Sequence, residues 1–224
     1  MDVRASASLV LVVTVLGAAC ATTLEPAPGA VSVSGIGKGA VAEEAGVQIT
    51  VRAQAWRGYP PDLRGVLTPL LTTIDNRTAR PLRIRYDQFT LEGADGRTFA
   101  ALPPFEITTA VSEPVAYAAA PLGGFHVAPY LSPYYRSWPA FHGPFVHDWY
   151  YSRYQPVFQR IELPTGDMVQ KALPEGVVEP GGRVSGFLYF EEVRDVERAS
   201  FAAQLVDAGT GQRFGTIRIP FVVD

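Results

Sequence analysis

Apolar side chains occupy every second position from Val47 to Ala55, and Gln, Thr or Arg fill the positions between them. A period of two places alternate side chains on opposite faces of an extended chain, so this stretch is predicted to be a half-buried β-strand. The pattern recurs at Leu82–Tyr86, Phe201–Leu205 and Ile217–Val223, with turn-forming residues between the runs. Gly and Pro number 21 and 19 of 224 residues, which favours many turns over a helical bundle. The sequence therefore predicts an all-β, antiparallel fold.

Three local features follow from the same pattern. The apolar positions shift by one at Phe89 and Leu91, so we expect a β-bulge at Asp87–Gln88 that keeps both halves of the strand facing the core. Gly93–Gly96 predicts a hairpin turn. The one helix expected in the body is short, over residues 166–173, with the threonine before it as N-cap.

About seven short strands separated by polar turns predict two packed sheets over residues 47–224. The stretches that characterise this domain are the strand up to Trp56, Thr68–Leu70 with Ile74–Asn76, Arg85–Tyr86 with Phe89 and Leu91, and Pro180–Gly182 with Gly186–Phe190. Their order resembles the immunoglobulin-like (telokin-like) domains of an uncharacterised family of bacterial lipoproteins, over residues 47–106 and 174–224. The resemblance implies an immunoglobulin-like sandwich and brings no catalytic residues to this chain.

The N-terminus has the features of a targeting signal. An apolar run of 12 residues, Ser8–Ala19, follows Arg4; a bilayer span needs about 20, so the run has the length of a signal-peptide core instead. It ends at Cys20, the one cysteine of the chain, and there resembles a bacterial lipoprotein signal, although an ordinary signal with an incidental cysteine is the alternative. The resemblance implies that residues 1–19 are removed and that lipid on Cys20 holds the protein on a membrane. Since residue 21 is Ala rather than Asp, it also implies the outer membrane of the cell envelope, facing the periplasm.

Residues 20–46 are mostly small and turn-prone, and we predict that they form a tether between membrane and domain. Within them, Gly35–Ala40 matches the dinucleotide pattern G-x-G-x-x-A. The strand that starts at Val47 leaves no room for the helix that this motif requires, so the stretch is interpreted as a flexible segment with one helical turn.

Residues 107–158 interrupt the strand pattern and form a long insertion rich in Pro and aromatic residues. They hold 13 of the 25 Phe, Trp and Tyr residues, all three His and seven Pro. Proline excludes a long helix or a central strand, and the low charge does not suit solvated disorder. The segment should therefore pack onto its own sandwich, a partner or the membrane interface.

Three interpretations of the insertion remain open. It packs as an irregular flap that extends the core, it presents an aromatic surface to an envelope protein or to lipid headgroups, or it binds a transition metal. Aromatic side chains suit a binding surface because they bury area with few rotatable bonds. The partner-binding candidates are Tyr130, Tyr134, Tyr135, Trp138, Trp149, Tyr150, Tyr151 and Tyr154. The metal-ligand candidates are His126, His142, His147 and Asp148, whose spacing forms no recognised zinc motif.

Charge and motif content narrow the function. With 19 Lys and Arg against 22 Asp and Glu, the chain lacks the positive field of a nucleic-acid binder. No G-x-S-x-G or paired acid/base arrangement occurs, so we expect no enzyme activity and no cofactor. The expected function is a lipid-anchored, non-catalytic envelope lipoprotein, an interaction or structural module. The alternative is a metal- or small-ligand-binding lipoprotein that uses the His- and Tyr-rich insertion.

Overall fold

The computed structural model describes residues 23–115 and 157–223, and β-strands make up 55% of them. These two ranges contain fourteen strands, three short 3₁₀ turns and one helix, α1 (Gly166–Lys171). None of their helices is long and apolar enough to cross a membrane. The strands are β1 (Leu24–Pro26), β2 (Val31–Val33), β3 (Lys38–Glu44), β4 (Val47–Ala53), β5 (Leu67–Asn76), β6 (Leu82–Ile84), β7 (Phe89–Gly93), β8 (Thr98–Leu102), β9 (Ala110–Val115), β10 (Val157–Glu162), β11 (Gly176–Val178), β12 (Arg183–Glu191), β13 (Arg198–Asp207) and β14 (Arg213–Val223).

Ten strands form one hydrogen-bonded path in the order β1-β14-β13-β7-β8-β12-β5-β4-β3-β2. β6 pairs with β11 and with β13, while β9 and β10 form a separate two-stranded ribbon. Two halves of the path meet where β8 pairs with β12 at only two positions, Leu102 opposite Tyr189 and Ala101 opposite Phe190. The predicted antiparallel β fold with one short helix is confirmed for the described residues. The sheet is a near-closed barrel-like path, however, and not clearly the predicted seven-strand immunoglobulin-like sandwich.

The ends of the path approach each other along a seam between β14 and β3. The Thr216 backbone N–H on β14 donates to the Glu44 carboxylate on β3 at 3.1 Å. Lys38 on β3 forms an ion pair with Glu25 on β1. In the described ranges the backbone ladder does not continue across this seam, so side chains close the barrel there.

The interior of the barrel is the main hydrophobic core. Val47, Ile49 and Val51 of β4 point into it and are almost fully buried, which confirms the alternation seen in the sequence. Each such side chain contributes about 1.5–3 kcal/mol when it is removed from water. Other strands supply the rest of this core, and its large members include Leu70, Ile74, Leu91, Leu188, Phe190, Phe201, Ile217, Ile219 and Phe221.

The predicted tether over residues 20–46 is wrong for residues 24–44, which form β1, β2 and β3 of the barrel. β3 pairs with β4 along its whole length, from Lys38 opposite Ala53 to Glu44 opposite Val47, so the expected helical turn is also wrong. The inward residues of β3 include Ala40, which is small and not a strong strand former, and this hid the strand in the sequence. These added strands are one reason why the sheet exceeds seven strands.

A two-residue turn joins β3 to β4. Ala45 has φ of 50° and Gly46 has φ of 82°. Positive φ at both central residues matches a type I′ hairpin turn, whose twist suits the flanking strands. Glycine adopts this conformation freely, whereas an alanine there is strained.

The predicted bulge at Asp87–Gln88 is instead a 3₁₀ turn over Tyr86–Gln88. On β13, Val206 lies opposite Arg83 and Ala203 opposite Phe89. The chain advances six residues from Arg83 to Phe89 while β13 advances only three, from Ala203 to Val206. The β6–β7 connection therefore contains three extra residues, where we expected one. The inference that both halves face the core is correct, because Leu82, Ile84, Phe89 and Leu91 all belong to it.

Two other local predictions are confirmed. The chain turns over Gly93–Gly96 between β7 and β8, where the Gly93 N–H donates to the Arg97 carbonyl at 2.8 Å. Helix α1 begins at Gly166, and the Thr165 hydroxyl accepts a hydrogen bond from the Met168 N–H. This satisfies one of the free N–H groups that every helix leaves at its start.

Asn76 ties the end of β5 to its surroundings. Its side chain is fully buried, and its amide nitrogen donates to the carbonyls of Arg80 at 2.7 Å and Val178 at 2.8 Å. Its amide oxygen accepts from the backbone N–H and the hydroxyl of Thr78, at 3.1 Å and 2.7 Å. Two donors and two acceptor positions are all the capacity that an asparagine side chain has. One residue thus joins β5 to β11 and to the turn that leads into β6.

Candidate functional site

Every site residue predicted from the sequence lies outside the described residues. This applies to the lipidation candidate Cys20 and to both sets in the insertion. The partner-binding set is Tyr130, Tyr134, Tyr135, Trp138, Trp149, Tyr150, Tyr151 and Tyr154, and the metal set is His126, His142, His147 and Asp148. The structure describes the two ends of the insertion, and the site is therefore built from the elements that hold those ends.

A second hydrophobic core covers the outer face of β12. Phe187 and Tyr189 point outward, while Leu188 and Phe190 point into the barrel, so β12 is buried on both faces. The Trp56 ring packs edge-on against Phe187, with centroids 5.0 Å apart, and against Tyr189 at 6.1 Å. Edge-to-face pairs at these distances add to the gain from burial alone. The other buried members are Ala55, Leu63, Leu67, Ile107, Val111, Leu163 and Met168.

The polar atoms of this second core have partners. Trp56 Nε1–H donates to the Pro60 carbonyl at 2.8 Å, and the Tyr189 hydroxyl donates to the Met168 carbonyl at 2.9 Å. Burial raises the pKa of Tyr189 well above its usual value, with smaller contributions from Tyr86 and Asp167. The phenol therefore stays protonated and donates its hydrogen bond within the second core.

An exposed pair covers the edge of the second core. Lys171 places its ammonium 5.6 Å from the centre of the Trp56 ring, within the range of a cation–π contact. Asp167 accepts from Lys171 at 2.7 Å and from the Tyr59 N–H at 2.9 Å. The hydrogen bond from Lys171, followed by that from Tyr59, lowers the pKa of the Asp167 carboxyl. These contacts join helix α1 to the loop after β4.

The ribbon of β9 and β10 is fixed to the second core at its base. Ile107 and Val111 are buried there, and Leu163 packs beside them just after β10. The Leu163 N–H donates to the Thr109 carbonyl at 3.0 Å, and the Glu113 carboxylate accepts from the Asp62 N–H at 3.3 Å. The prediction that residues 107–158 are irregular is therefore wrong at both ends. β9 and β10 pair in a regular antiparallel ladder, in which Val111 lies opposite Ile161.

The ribbon ends where the aromatic segment begins. Val115 lies directly opposite Val157, so the two ends of residues 116–156 start as cross-strand neighbours. One step before, Pro114 lies opposite Phe158, whose side chain is 60% exposed. The ribbon thus holds an exposed aromatic side chain, together with both ends of the segment, at one place on the outer wall of the barrel.

An open groove of about 560 Å³ lies beside helix α1, and no sequence pattern indicated it. Phe105, 78% exposed, forms one wall, and Tyr86, Leu173 and Glu175 form others. Tyr86 donates its hydroxyl to the Leu173 carbonyl at 2.7 Å, and Glu175 accepts from the Tyr86 N–H at 2.8 Å. Burial, and then the charge of Glu175, raise the pKa of Tyr86. Both polar groups are therefore engaged in hydrogen bonds within the protein.

Residues 23–115 and 157–223 were also searched for side chains that could bind a metal ion. No cluster of three or more His, Cys, Asp and Glu side chains suited to a metal ion occurs in these ranges. Comparison with protein-family models, with curated proteins and with solved structures gave no match. Among the described residues, the ribbon and the groove are the features available for a binding role.

Proposed function

We propose that this chain is a lipid-anchored, non-catalytic lipoprotein of the bacterial envelope, attached through Cys20 and acting as an interaction or structural module on the periplasmic side of the outer membrane. The position of the single cysteine directly after a 12-residue apolar run supports the anchor. A distant kinship with the immunoglobulin-like domains of bacterial lipoproteins belongs to the same proposal.

The observation that carries the interaction role is the ribbon. A segment whose two ends are held on a fixed scaffold loses less entropy on binding than a free chain. Here Val111 and Leu163 fix the ribbon to the second core, and its end carries both ends of residues 116–156. The segment contains the eight Tyr and Trp candidates, which suit a protein interface. The proposed partner is therefore an envelope protein bound through this segment.

The anchor is tested by replacing the cysteine. Cys20→Ser should move the protein from the membrane fraction to the soluble periplasmic fraction, with Ala21→Ser as the matched control that stays on the membrane. Continued membrane association of Cys20→Ser would contradict the lipid anchor.

The interaction role is tested by capture from native membranes after cross-linking. The full-length protein is compared with a variant in which Asn-Gly replaces residues 116–156, which keeps the ribbon and the anchor. A partner captured only by the full-length protein supports the proposal. Equal capture by both forms contradicts it, and bound metal that is lost in His142→Ala/His147→Ala would favour the alternative of metal binding.

A further inference from the structure

The chain enters the barrel three residues after the proposed lipid attachment site. Thr23 is the first described residue, and three residues of extended chain span at most about 11 Å. Since β1 starts at Leu24, no long tether separates the barrel from the anchor. If Cys20 carries lipid, as proposed above, the end of the barrel at Thr23 is held close to the headgroup layer.

The end that faces the membrane can be identified from strand pairing. Leu24 pairs with Val223 at the end of β14, and the adjacent Val222 pairs with Arg198 at the start of β13. Thr23 and Leu24 also line a small cavity with Ala53 and Gln54, at the end of β4. We name this the proximal end, and it includes the loops over residues 34–37, 54–66 and 191–197.

The loop between β2 and β3 lies at the proximal end and has an aliphatic tip. Lys38, which follows the loop, pairs with Ala53 and forms the ion pair with Glu25 on β1. Ile36 at the tip is 63% exposed. Gly37 holds the loop tightly against β4, because a Cβ there would lie 2.2 Å from the Ala53 carbonyl oxygen and its φ is +77°. The tip is therefore fixed in place beside the point where the chain enters the barrel.

We propose that the loop of residues 34–37 is a second membrane contact, in which Ile36 enters the headgroup layer of the bilayer that holds the Cys20 lipid. An exposed aliphatic residue on a loop is commonplace by itself. Here the short connection to the anchor places it within reach of lipid, and the boundary between headgroups and acyl chains favours an apolar side chain at the tip. The lipid and the loop together restrict how the barrel is oriented on the membrane.

The test uses the full-length lipidated protein reconstituted in vesicles of phosphatidylethanolamine and phosphatidylglycerol that contain headgroup-region spin-labelled lipid. Ile36→Cys is labelled with an environment-sensitive fluorophore, since lipidation blocks the thiol of Cys20. Val177→Cys is the matched control, because Val177 is also an exposed aliphatic residue, at 53%. Val177 on β11 pairs with Arg83 on β6, which in turn pairs with Val206 on β13. Val206 is eight residues along β13 from Arg198, so Val177 lies about 26 Å farther from the proximal end.

Loss of fluorescence at position 36, with none at position 177, is the expected result. Ser34→Cys on the same loop repeats the measurement if the first variant fails to fold. Full fluorescence at position 36 in protein that floats with the vesicles would overturn the inference and leave the anchor intact. Protection from aqueous iodide without quenching by lipid would assign the loop to a protein contact and also overturn it. Failure to float would overturn the proposed anchor, and this inference with it.

Discussion

Replacing Asn76 with Ala should destabilise the fold more than the truncation of any exposed polar side chain. Asn76 is fully buried, and its amide makes four hydrogen bonds, two to the carbonyls of Arg80 and Val178 and two from Thr78. The variant loses all four and leaves a carbonyl on β11 without its donor.

The magnitude follows from those contacts. Each hydrogen bond contributes about 1 kcal/mol net, so the loss of all four corresponds to about 4 kcal/mol, within a range of about 3–5 kcal/mol. For a domain of this size, about 2–4 °C of Tm corresponds to each kcal/mol, which gives a fall of about 6–20 °C.

Urea unfolding followed by tryptophan fluorescence measures the loss, and Asn76→Asp tests its cause. Aspartate keeps the volume and the bonds from Thr78, but presents an oxygen to the Arg80 and Val178 carbonyls. Burial and those carbonyls should raise the pKa of the introduced carboxyl group in the folded state above its pKa in the unfolded chain, so the deficit should shrink as the pH falls. A cost below about 1 kcal/mol for the alanine variant would refute the account of Asn76 as a fully bonded link.

Three further predictions concern separate parts of the molecule. Replacing residues 116–156 with Asn-Gly should leave cooperative unfolding by circular dichroism, because the ribbon then closes as a two-residue hairpin; a non-cooperative transition would show that the fold needs the segment. Ala45→Asn should raise the Tm by about 2–4 °C, since asparagine tolerates the positive φ better; an unchanged or lower Tm in calorimetry would contradict the strain. Asp167→Asn should lower the Tm at neutral pH, and the difference in Tm from the wild-type protein should disappear as the pH falls below about 4. The hydrogen bonds that lower the pKa of Asp167 stabilise the folded protein only while the carboxyl group is ionised, so a difference in Tm that does not change with pH would contradict this.

Features that depend on neighbouring residues could be predicted from the sequence. The alternation in β4, the turn over Gly93–Gly96 and the helix capped by Thr165 all follow from local spacing and composition. The 3₁₀ turn at Tyr86–Gln88 could not be predicted in this way. A shift in the alternation of apolar residues shows that extra residues are present between two strand halves, but not how many there are. β3 was missed because its inward positions are alanines.

The second core and the groove depend on contacts between distant parts of the chain. Trp56, Met168 and Tyr189 meet only after β12 is placed, so no spacing connects them. One signal was present, since the unbroken apolar run Phe187–Phe190 is typical of a strand that is buried on both faces. The groove combines Phe105 with Tyr86 and Glu175, and nothing in their sequence context marks them as neighbours. The candidate residues of the insertion and Cys20 stay predictions.

The seam between β14 and β3 has a consequence for self-association. β1 pairs with only the last three residues of β14, so the earlier part of that edge lacks a neighbouring strand in the described ranges. An unprotected edge is a template on which another chain can add a strand. The Glu44 carboxylate occupies the Thr216 N–H and sets a negative charge where an incoming backbone would have to lie. Glu44 therefore protects this part of the edge against strand addition by a second copy of the chain.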